Sequence, residues 1–216
     1  MTERRDPRWL LAWALAGACS PSARSAERPV PQWTYPLRVS IGAGEFEQVD
    51  AELERRAAQP ADEYFALCLR AEVRVKLERY DEAAADLRRA LEREPPDAPS
   101  AWRAWLRYEL GFLTFHFVGT PQEALELFGA ALAIDPRHFK SLEHRGFVHA
   151  ELGDQPAAAA DWLRALECWP AQVEPTERAR VAESLVATLR TLGRSDEAQS
   201  VERGEFERRT GAESGG

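Results

Sequence analysis

Small and large apolar residues recur in phase along the middle of the chain. Three times, an alanine is followed four residues later by a large apolar residue, then by an Ala-Leu pair and by a proline. The copies begin at Ala83, Ala124 and Ala158, so the first two are 41 residues apart and the last two are 34 apart. Such fixed spacing is typical of a solenoid, in which short helical units stack side by side. The recurring positions are Ala83, Leu87, Ala90, Leu91 and Pro95, then Ala124, Phe128, Ala131, Leu132 and Pro136, then Ala158, Trp162, Ala165, Leu166 and Pro170.

The residue types at these positions follow from the packing of two helices in each unit. Closely packed helices need small residues at their contact, and Ala71, Gly111 and Gly146 on the first helices supply them opposite the alanines of the second helices. The large residue one turn later fills the space between units. Proline then ends the second helix, because it cannot donate the next backbone hydrogen bond. We expect the additional residues before the second copy to lengthen the loop at 95–99.

The pattern predicts a helical array with a cap at each end. An apolar stripe in 45–58 indicates one amphipathic helix, and a second stripe in 176–192 stops at Gly193. Strand signals are confined to 37–41, so we expect an all-α fold. The predicted divisions are complete repeats at about 64–97, 105–138 and 139–172, capping helices at 45–58 and 176–209 within a repeat domain at 44–209, and a disordered tail at 210–216.

These positions, together with Tyr80, resemble the tetratricopeptide repeat family over roughly residues 64–172. The resemblance implies a right-handed α-solenoid of stacked antiparallel helix pairs. The departures from the family pattern are Arg70 and Arg145, at a usual leucine position, and Arg74 and His149, at a frequent tyrosine position. The turn at 119–121 is one residue longer than expected, which leaves the register of the preceding helix open by one residue.

Composition limits the classes of function. The chain has 216 residues, 44% of them apolar, which suffices for one solenoid domain. Its net charge is -8, whereas nucleic-acid binding normally requires a basic surface. An RNA-binding helical repeat of nearly the same period is therefore the disfavoured alternative. The sequence contains no nucleophile elbow, phosphate loop, dinucleotide fingerprint or zinc-protease motif, so we expect neither an enzyme nor a cofactor.

The cysteines and histidines of the repeats do not predict a site. Cys68 and Cys168 belong to the first and third repeats, too far apart for a disulfide, and we interpret both as small buried apolar residues. His144 and His149 are five residues apart, so they face different directions from one helix. We therefore expect no metal site.

The N-terminal residues have the layout of an export signal. Three arginines precede a short apolar run, Trp9 to Ala18, which has too few residues to span a bilayer. The end of this run and the next residue, Leu-Ala-Gly-Ala-Cys, resemble a bacterial lipobox, which implies removal of residues 1–18 and a lipid on Cys19. The same alanines would also suit ordinary signal cleavage before Cys19 without lipidation.

Residues 19–43 have the composition of a tether between a membrane anchor and the domain. The serine after Cys19 resembles an outer-membrane sorting signal, which implies a lipoprotein that faces the periplasm. The lipid would be the protein's only attachment to the membrane. A cytoplasmic adaptor or regulator with the same fold is the alternative.

The resemblance also implies a binding groove, lined by the first helix of each repeat. The residues at those positions are Phe65, Cys68, Glu72, Val75 and Lys76 in the first repeat, Trp105, Tyr108, Phe112, Phe115 and His116 in the second, and Lys140, Glu143, Phe147 and Glu151 in the third. With the register shifted by one, the second set becomes Leu106, Glu109, Leu113, His116 and Phe117. The aromatic second set fits either packing between repeats or the capture of apolar anchors from a partner.

We interpret the chain as a non-catalytic scaffold that binds a protein or peptide partner in this groove. A well-known class of the family grips C-terminal carboxylates with lysine and asparagine side chains. The chain contains no asparagine, so it lacks that clamp in its usual form.

Overall fold

The computed structural model describes residues 29–170 and 175–205, which form ten α-helices and one π-helical segment without a strand. The helices are α1 Thr34–Gly42, α2 Phe46–Ala57, α3 Glu63–Lys76, α4 Tyr80–Glu92, α5 Ser100–Leu113, the π-helical segment Thr114–Val118, α6 Pro121–Ile134, α7 Phe139–Glu151, α8 Gln155–Glu167, α9 Pro175–Thr191 and α10 Ser195–Glu202. The predicted all-α fold class is confirmed. Among these helices, none is both long enough and apolar enough to cross a bilayer.

Consecutive helices pack as hairpins, and each hairpin packs on the next. The central hairpins pair α3 with α4, α5 with α6, and α7 with α8. Helix α2 covers α3 at one end, and α9 with α10 covers α8 at the other. Most contacts between helices are therefore between neighbours in sequence, which is the architecture of a solenoid.

Each hairpin matches a small residue on its first helix with a large one on its second. In the third hairpin, a Cβ atom at Gly146 would lie 2.5 Å from Nε1 of Trp162, and in the second, one at Gly111 would lie 2.9 Å from Cε1 of Phe128. The first hairpin has the larger Ala71 and the smaller Leu87 at the corresponding positions. Absence of a Cβ therefore allows the aromatic ring of the second helix to approach the backbone of the first.

The arginines that depart from the family pattern form ion pairs inside their hairpins. Arg70 donates to both carboxylate oxygens of Asp86, at 2.8 and 2.6 Å, and Arg145 donates to both oxygens of Asp161 at 2.7 Å. Both aspartates are 4% exposed. The corresponding positions of the second hairpin carry leucines: Leu110 lies in the hydrophobic core, and the partly buried Leu127 packs against it. This contact between the two helices is thus ionic in the first and third hairpins and apolar in the second.

The second hairpin is longer mainly because its first helix is longer. Helix α5 has 14 residues and continues into 5 π-helical residues, whereas α7 has 13. The prediction that the additional residues all lengthen the loop at 95–99 is therefore wrong. The one-residue discrepancy of the sequence register lies in the π-helical turn, where Gly119 N donates to Thr114 O at 3.0 Å, five residues back. A π-helical turn absorbs one additional residue without ending the helix.

The N-terminal boundary of the fold also differs from the prediction. Helix α1 lies inside the segment 19–43 that was expected to be a tether, so this prediction is wrong for residues 34–42. Trp33 fixes the start of α1, since its Nε1 donates to Asp62 at 2.9 Å and Arg56 lies 4.5 Å from its ring. Pro36 is compatible with the helix because it lies in the first turn, where its missing N–H is not needed.

Several predicted segments lie outside the described residues. These are the signal at 1–18, Cys19 and the first part of the tether, the end of the third repeat at 171–172, the end of the C-terminal cap at 206–209, and the tail at 210–216. Within the described residues, the C-terminal cap consists of α9 and α10, which are separated by Gly193 in a left-handed conformation with φ of 73°.

Candidate functional site

The first helices of the hairpins, α3, α5 and α7, lie side by side with α9, and together they form what we call the inner face. Phe65 of α3 meets Trp102 of α5 with ring centroids 5.0 Å apart. Between α5 and α7, the ring of Phe112 lies 5.2 Å from that of His144. Arg180 of α9 donates to Glu143 of α7 at 2.8 Å. Side chains of successive first helices therefore contact one another directly. The groove residues predicted from the sequence belong to the first helices of the three hairpins, which form this face.

The structure places Tyr108 beneath the inner face and not on its surface. Its side chain is 4% exposed, and its ring lies 6.1 Å from Phe128, 5.2 Å from His138 and 5.5 Å from His144. The prediction that Tyr108 lines a groove is therefore corrected: its ring packs between the second and third hairpins.

The shifted register describes the groove surface only in part. Leu106 and Leu113 are fully buried, whereas Phe117 is 50% exposed and stacks on Tyr80 of α4, with centroids 3.8 Å apart. Trp105 and Phe112, from the first alignment, are partly buried and pack against the core. The exposed aromatic surface is thus smaller than the aromatic second set of predicted groove residues suggested.

A cleft of about 280 Å³ opens on the inner face where the π-helical segment approaches α7 and α9. The residues that line it are Phe115, His116, His144, Phe147, Glu151 and Arg180. Four of these, Phe115, His116, Phe147 and Glu151, were predicted from sequence as groove residues, and the structure brings them together. Two were missed: His144, and Arg180 from the C-terminal cap, which contributes because α9 continues the row of first helices.

The π-helical turn positions the aromatic wall of this cleft. Phe115 and His116 both lie in the segment Thr114–Val118, and their rings are 4.7 Å apart. Phe147 forms the opposite wall, held by Trp162 at 5.2 Å on one side and by Arg180 at 5.3 Å on the other. π-helical turns occur frequently at functional sites, because they turn side chains away from the regular helical register.

Lys140 and Glu143, also predicted as groove residues, are buried in an ion-pair network. Lys140 donates to Glu143 at 3.0 Å and also to Glu177, while Arg180 donates to the second oxygen of Glu143. Burial acts to raise the pKa of Glu143, but His144, Lys140 and Arg180 hold it below its usual value. These side chains tie α7 to α9, so their visible role is to attach the C-terminal cap.

Two buried histidines of the third hairpin remain neutral. Burial lowers the pKa of His138 to about 3 and that of His144 to about 4. Nδ1 of His138 accepts the backbone N–H of Ser141 at 3.2 Å at the start of α7. His138 therefore caps the helix as a neutral imidazole, and the proton is on its other nitrogen.

A pair of buried carboxyl groups lies between α3 and α5. Glu72 and Glu109 are each 8% exposed, and Oε1 of Glu109 has no hydrogen-bond partner. Burial, reinforced by the charge of Glu72, raises the pKa of Glu109 to about 8, and burial also raises that of Glu72. The sequence analysis named both residues but not as a pair, because they belong to different repeats and Glu109 enters only with the shifted register of the second repeat.

The described residues contain neither a candidate metal site nor a disulfide. Within 29–170 and 175–205, no group of three or more histidine, cysteine or acidic side chains could hold a metal ion. The two cysteines of the repeats are free thiols: Cys68 is buried, as interpreted from sequence, and Cys168 is only half-buried.

The arrangement of stacked hairpins with small residues at their contacts defines a helical-repeat protein. The tetratricopeptide repeat family matches residues 68–108 and 118–173, so this part of the chain consists of tetratricopeptide repeats. The resemblance drawn from the sequence is thereby confirmed. No curated protein matches this chain.

Solved structures of other tetratricopeptide proteins share the fold. MamA from Desulfovibrio magneticus RS-1 is similar with a TM-score of 0.63 at 15% identity, over 82% of this chain and 93% of that one. YrrB, described as a tetratricopeptide protein with an unusual peptide-binding site, is similar with a TM-score of 0.60 at 18% identity, over 76% and 78% of the two chains. At these identities the similarity shows the fold alone.

Proposed function

We propose that this chain is a non-catalytic scaffold that binds a segment of a partner protein across its inner face, with the cleft beside the π-helical segment as the main anchor site. The observation that carries this proposal is the pair of aromatic walls, Phe115 and Phe147, which flank an open cleft with the charged Glu151 and Arg180 among its lining residues. An apolar side chain of the partner would fill such a cleft while its backbone remains in water.

Rigid support of the cleft favours this function. Phe147 is held between Trp162 and Arg180, and His144 is fixed by a 3.0 Å contact between its Nδ1 and the carbonyl oxygen of Lys140. A preformed site loses little entropy when a ligand binds. Peptide binding by YrrB, which has the same fold, supports the general use of such arrays for peptide recognition.

The proposal is tested with random dodecapeptides displayed on phage and selected against the immobilised full chain. We expect enriched peptides to share an apolar residue, and Phe115→Ala to weaken their binding about tenfold or more, as for an interface hot spot. The matched control is Phe117→Ala, which removes a more exposed phenylalanine from the same π-helical segment outside the cleft. Failure to enrich any peptide, or equal binding by the two variants when both are folded, would refute the cleft as the anchor site.

We further propose that the scaffold acts in the bacterial envelope, attached through a lipid on Cys19. Support comes from the sequence: an apolar run after three arginines, followed by small residues and a cysteine. Mass spectrometry of the native protein extracted from membranes should then show a modified N-terminal cysteine and no residues 1–18. An unmodified Cys19 terminus would indicate export without lipidation, and an intact N-terminus in soluble native protein would favour the cytoplasmic adaptor instead.

A further inference from the structure

One acid that lines the cleft has no counter-charge among the described residues. Glu151 is exposed, and it lies one helical turn after Phe147, which forms one of the two aromatic walls. Within the ranges 29–170 and 175–205, its carboxylate forms neither a hydrogen bond nor an ion pair. A partner side chain that enters the cleft can therefore reach this carboxylate from solvent.

The cations beside the cleft are already balanced by other acids. Arg180, the second charged residue of the lining, donates to Glu143 at 2.8 Å. Lys140 donates to Glu143 and to Glu177. These two cations and two carboxylates form a network without net charge, so the negative charge of Glu151 is left uncompensated at the cleft.

The fold itself does not favour an acid at this position. Glu151 is the last residue of α7, where the helix dipole favours a positive charge. Counted from the small residue of each hairpin, the same position holds Lys76 in the first hairpin and His116 in the second. Lys76 likewise ends its helix, so a basic residue suits this place in the array. The glutamate of the third hairpin therefore has no visible role in holding the repeats together.

We propose that Glu151 pairs with a lysine or arginine of the partner segment, next to the apolar side chain that fills the cleft. The inference rests on the proposed binding function and adds the chemistry of one partner residue. An ammonium or guanidinium group at this place would meet both the carboxylate and the negative end of α7. The aliphatic stem of the basic side chain would lie along the aromatic wall while its charged head remains in water.

The test uses the peptides selected on phage against the full chain, with affinities measured at pH 8, where an ordinary imidazole is neutral. We expect lysine or arginine at one fixed distance from the apolar anchor. Glu151→Gln should weaken binding about three- to fivefold at low ionic strength, as for an ion pair in contact with water. This loss should shrink as salt is added, because salt screens exposed charges.

Charge reversal gives a readout that a purely structural role would not change. Glu151→Lys puts at the end of α7 the residue type that ends α3, so the variant should remain folded by circular dichroism. It should bind the selected peptide at least about tenfold more weakly, because like charges then face each other. It should also bind a peptide whose basic residue is replaced by glutamate more tightly than the wild type does. The matched control, Glu126→Lys, makes the same change of net charge at an exposed acid of α6 and should leave both affinities about unchanged.

Two outcomes would overturn the inference separately from the proposed function. Selected peptides without a fixed basic position, or with an acidic residue there, would refute it while leaving peptide binding intact. A folded Glu151→Lys variant with no preference for the charge-reversed peptide would do the same. If no peptide is enriched at all, the binding function itself fails and the inference fails with it.

Discussion

Gly146→Ala should destabilise the third hairpin through a clash with Trp162. The added Cβ would lie 2.5, 2.6 and 3.0 Å from the indole atoms Nε1, Cδ1 and Cε2. Favourable contacts between non-bonded heavy atoms begin near about 3.5 Å, so the ring must move by roughly 1 Å. The indole N–H donates to the carbonyl oxygen of Glu143 at 3.1 Å, and this bond would be strained by the same movement.

The magnitude follows from three opposing terms. Overpacking of a core costs about 1–3 kcal/mol, and loss of the indole hydrogen bond adds about 1 kcal/mol. Alanine is favoured over glycine inside a helix by about 1 kcal/mol, which offsets the second term. We therefore expect Gly146→Ala to lower the free energy of unfolding by about 1–3 kcal/mol, with a fall in Tm of about 2–4 °C for each kcal/mol.

Two comparisons isolate the clash from the helix propensity. Gly129→Ala places the same methyl group in α6, where no heavy atom lies within 4 Å, so it should be neutral or stabilise by up to about 1 kcal/mol. In a Trp162→Leu background, which reproduces the Ala71 and Leu87 pairing of the first hairpin, Gly146→Ala should no longer destabilise. Urea unfolding followed by circular dichroism gives the four stabilities of this double-mutant cycle. The reasoning fails if Gly146→Ala is as stable as Gly129→Ala.

Three further predictions concern buried charges. The pKa of Glu109 is raised to about 8, so ionisation of this carboxyl group opposes folding as the pH rises above 4.5. Glu109→Gln should therefore become increasingly more stable than the wild type from pH 5 to 8, by a few kcal/mol at most. A constant difference in urea midpoint between the two proteins over this range would contradict the prediction. The pKa of His144 is lowered to about 4, so the wild type should lose stability as the pH falls from 6.5 towards 4, and His144→Gln should show a shallower loss over that range in the same assay. Arg145→Leu should cost about 3 kcal/mol or more of stability, because it leaves Asp161 buried without its main partner. Replacing both Arg145 and Asp161 by leucine should regain most of this loss, as the paired leucines of the second hairpin suggest. Equal melting temperatures of the single and double variants would refute this prediction.

The fold was predictable because its signal is repeated. The small and large residues of each hairpin recur in phase, so three copies support one another and predict the helices, the turns and their stacking. The recurrence of Arg70 with Asp86 and Arg145 with Asp161 carried a further signal, since each arginine precedes its aspartate by sixteen residues. That pairing was overlooked because arginine at a leucine position was treated only as a departure from the family.

The candidate site was only partly predictable, for local reasons. A π-helical turn has no distinct sequence pattern, so the residue that it absorbs was assigned to the turn after it. Tyr108 and Phe115 belong to one aromatic stripe, but the turn and the packing of α7 leave one ring buried and the other at the cleft. Helix α1 was missed because Pro36 and the polar residues before it have the composition of a linker.

The most direct test of the central claim is to locate a selected peptide on the surface of the folded array. A photo-reactive benzophenone side chain replaces either His116, which is exposed on the inner face at the cleft, or Glu126, which is exposed on the second helix of the same hairpin. Binding at the inner face predicts that the peptide is crosslinked at position 116 and not at position 126, and that unlabelled peptide competes for the product. Crosslinking at position 126 alone, or equally at both positions, would contradict the account.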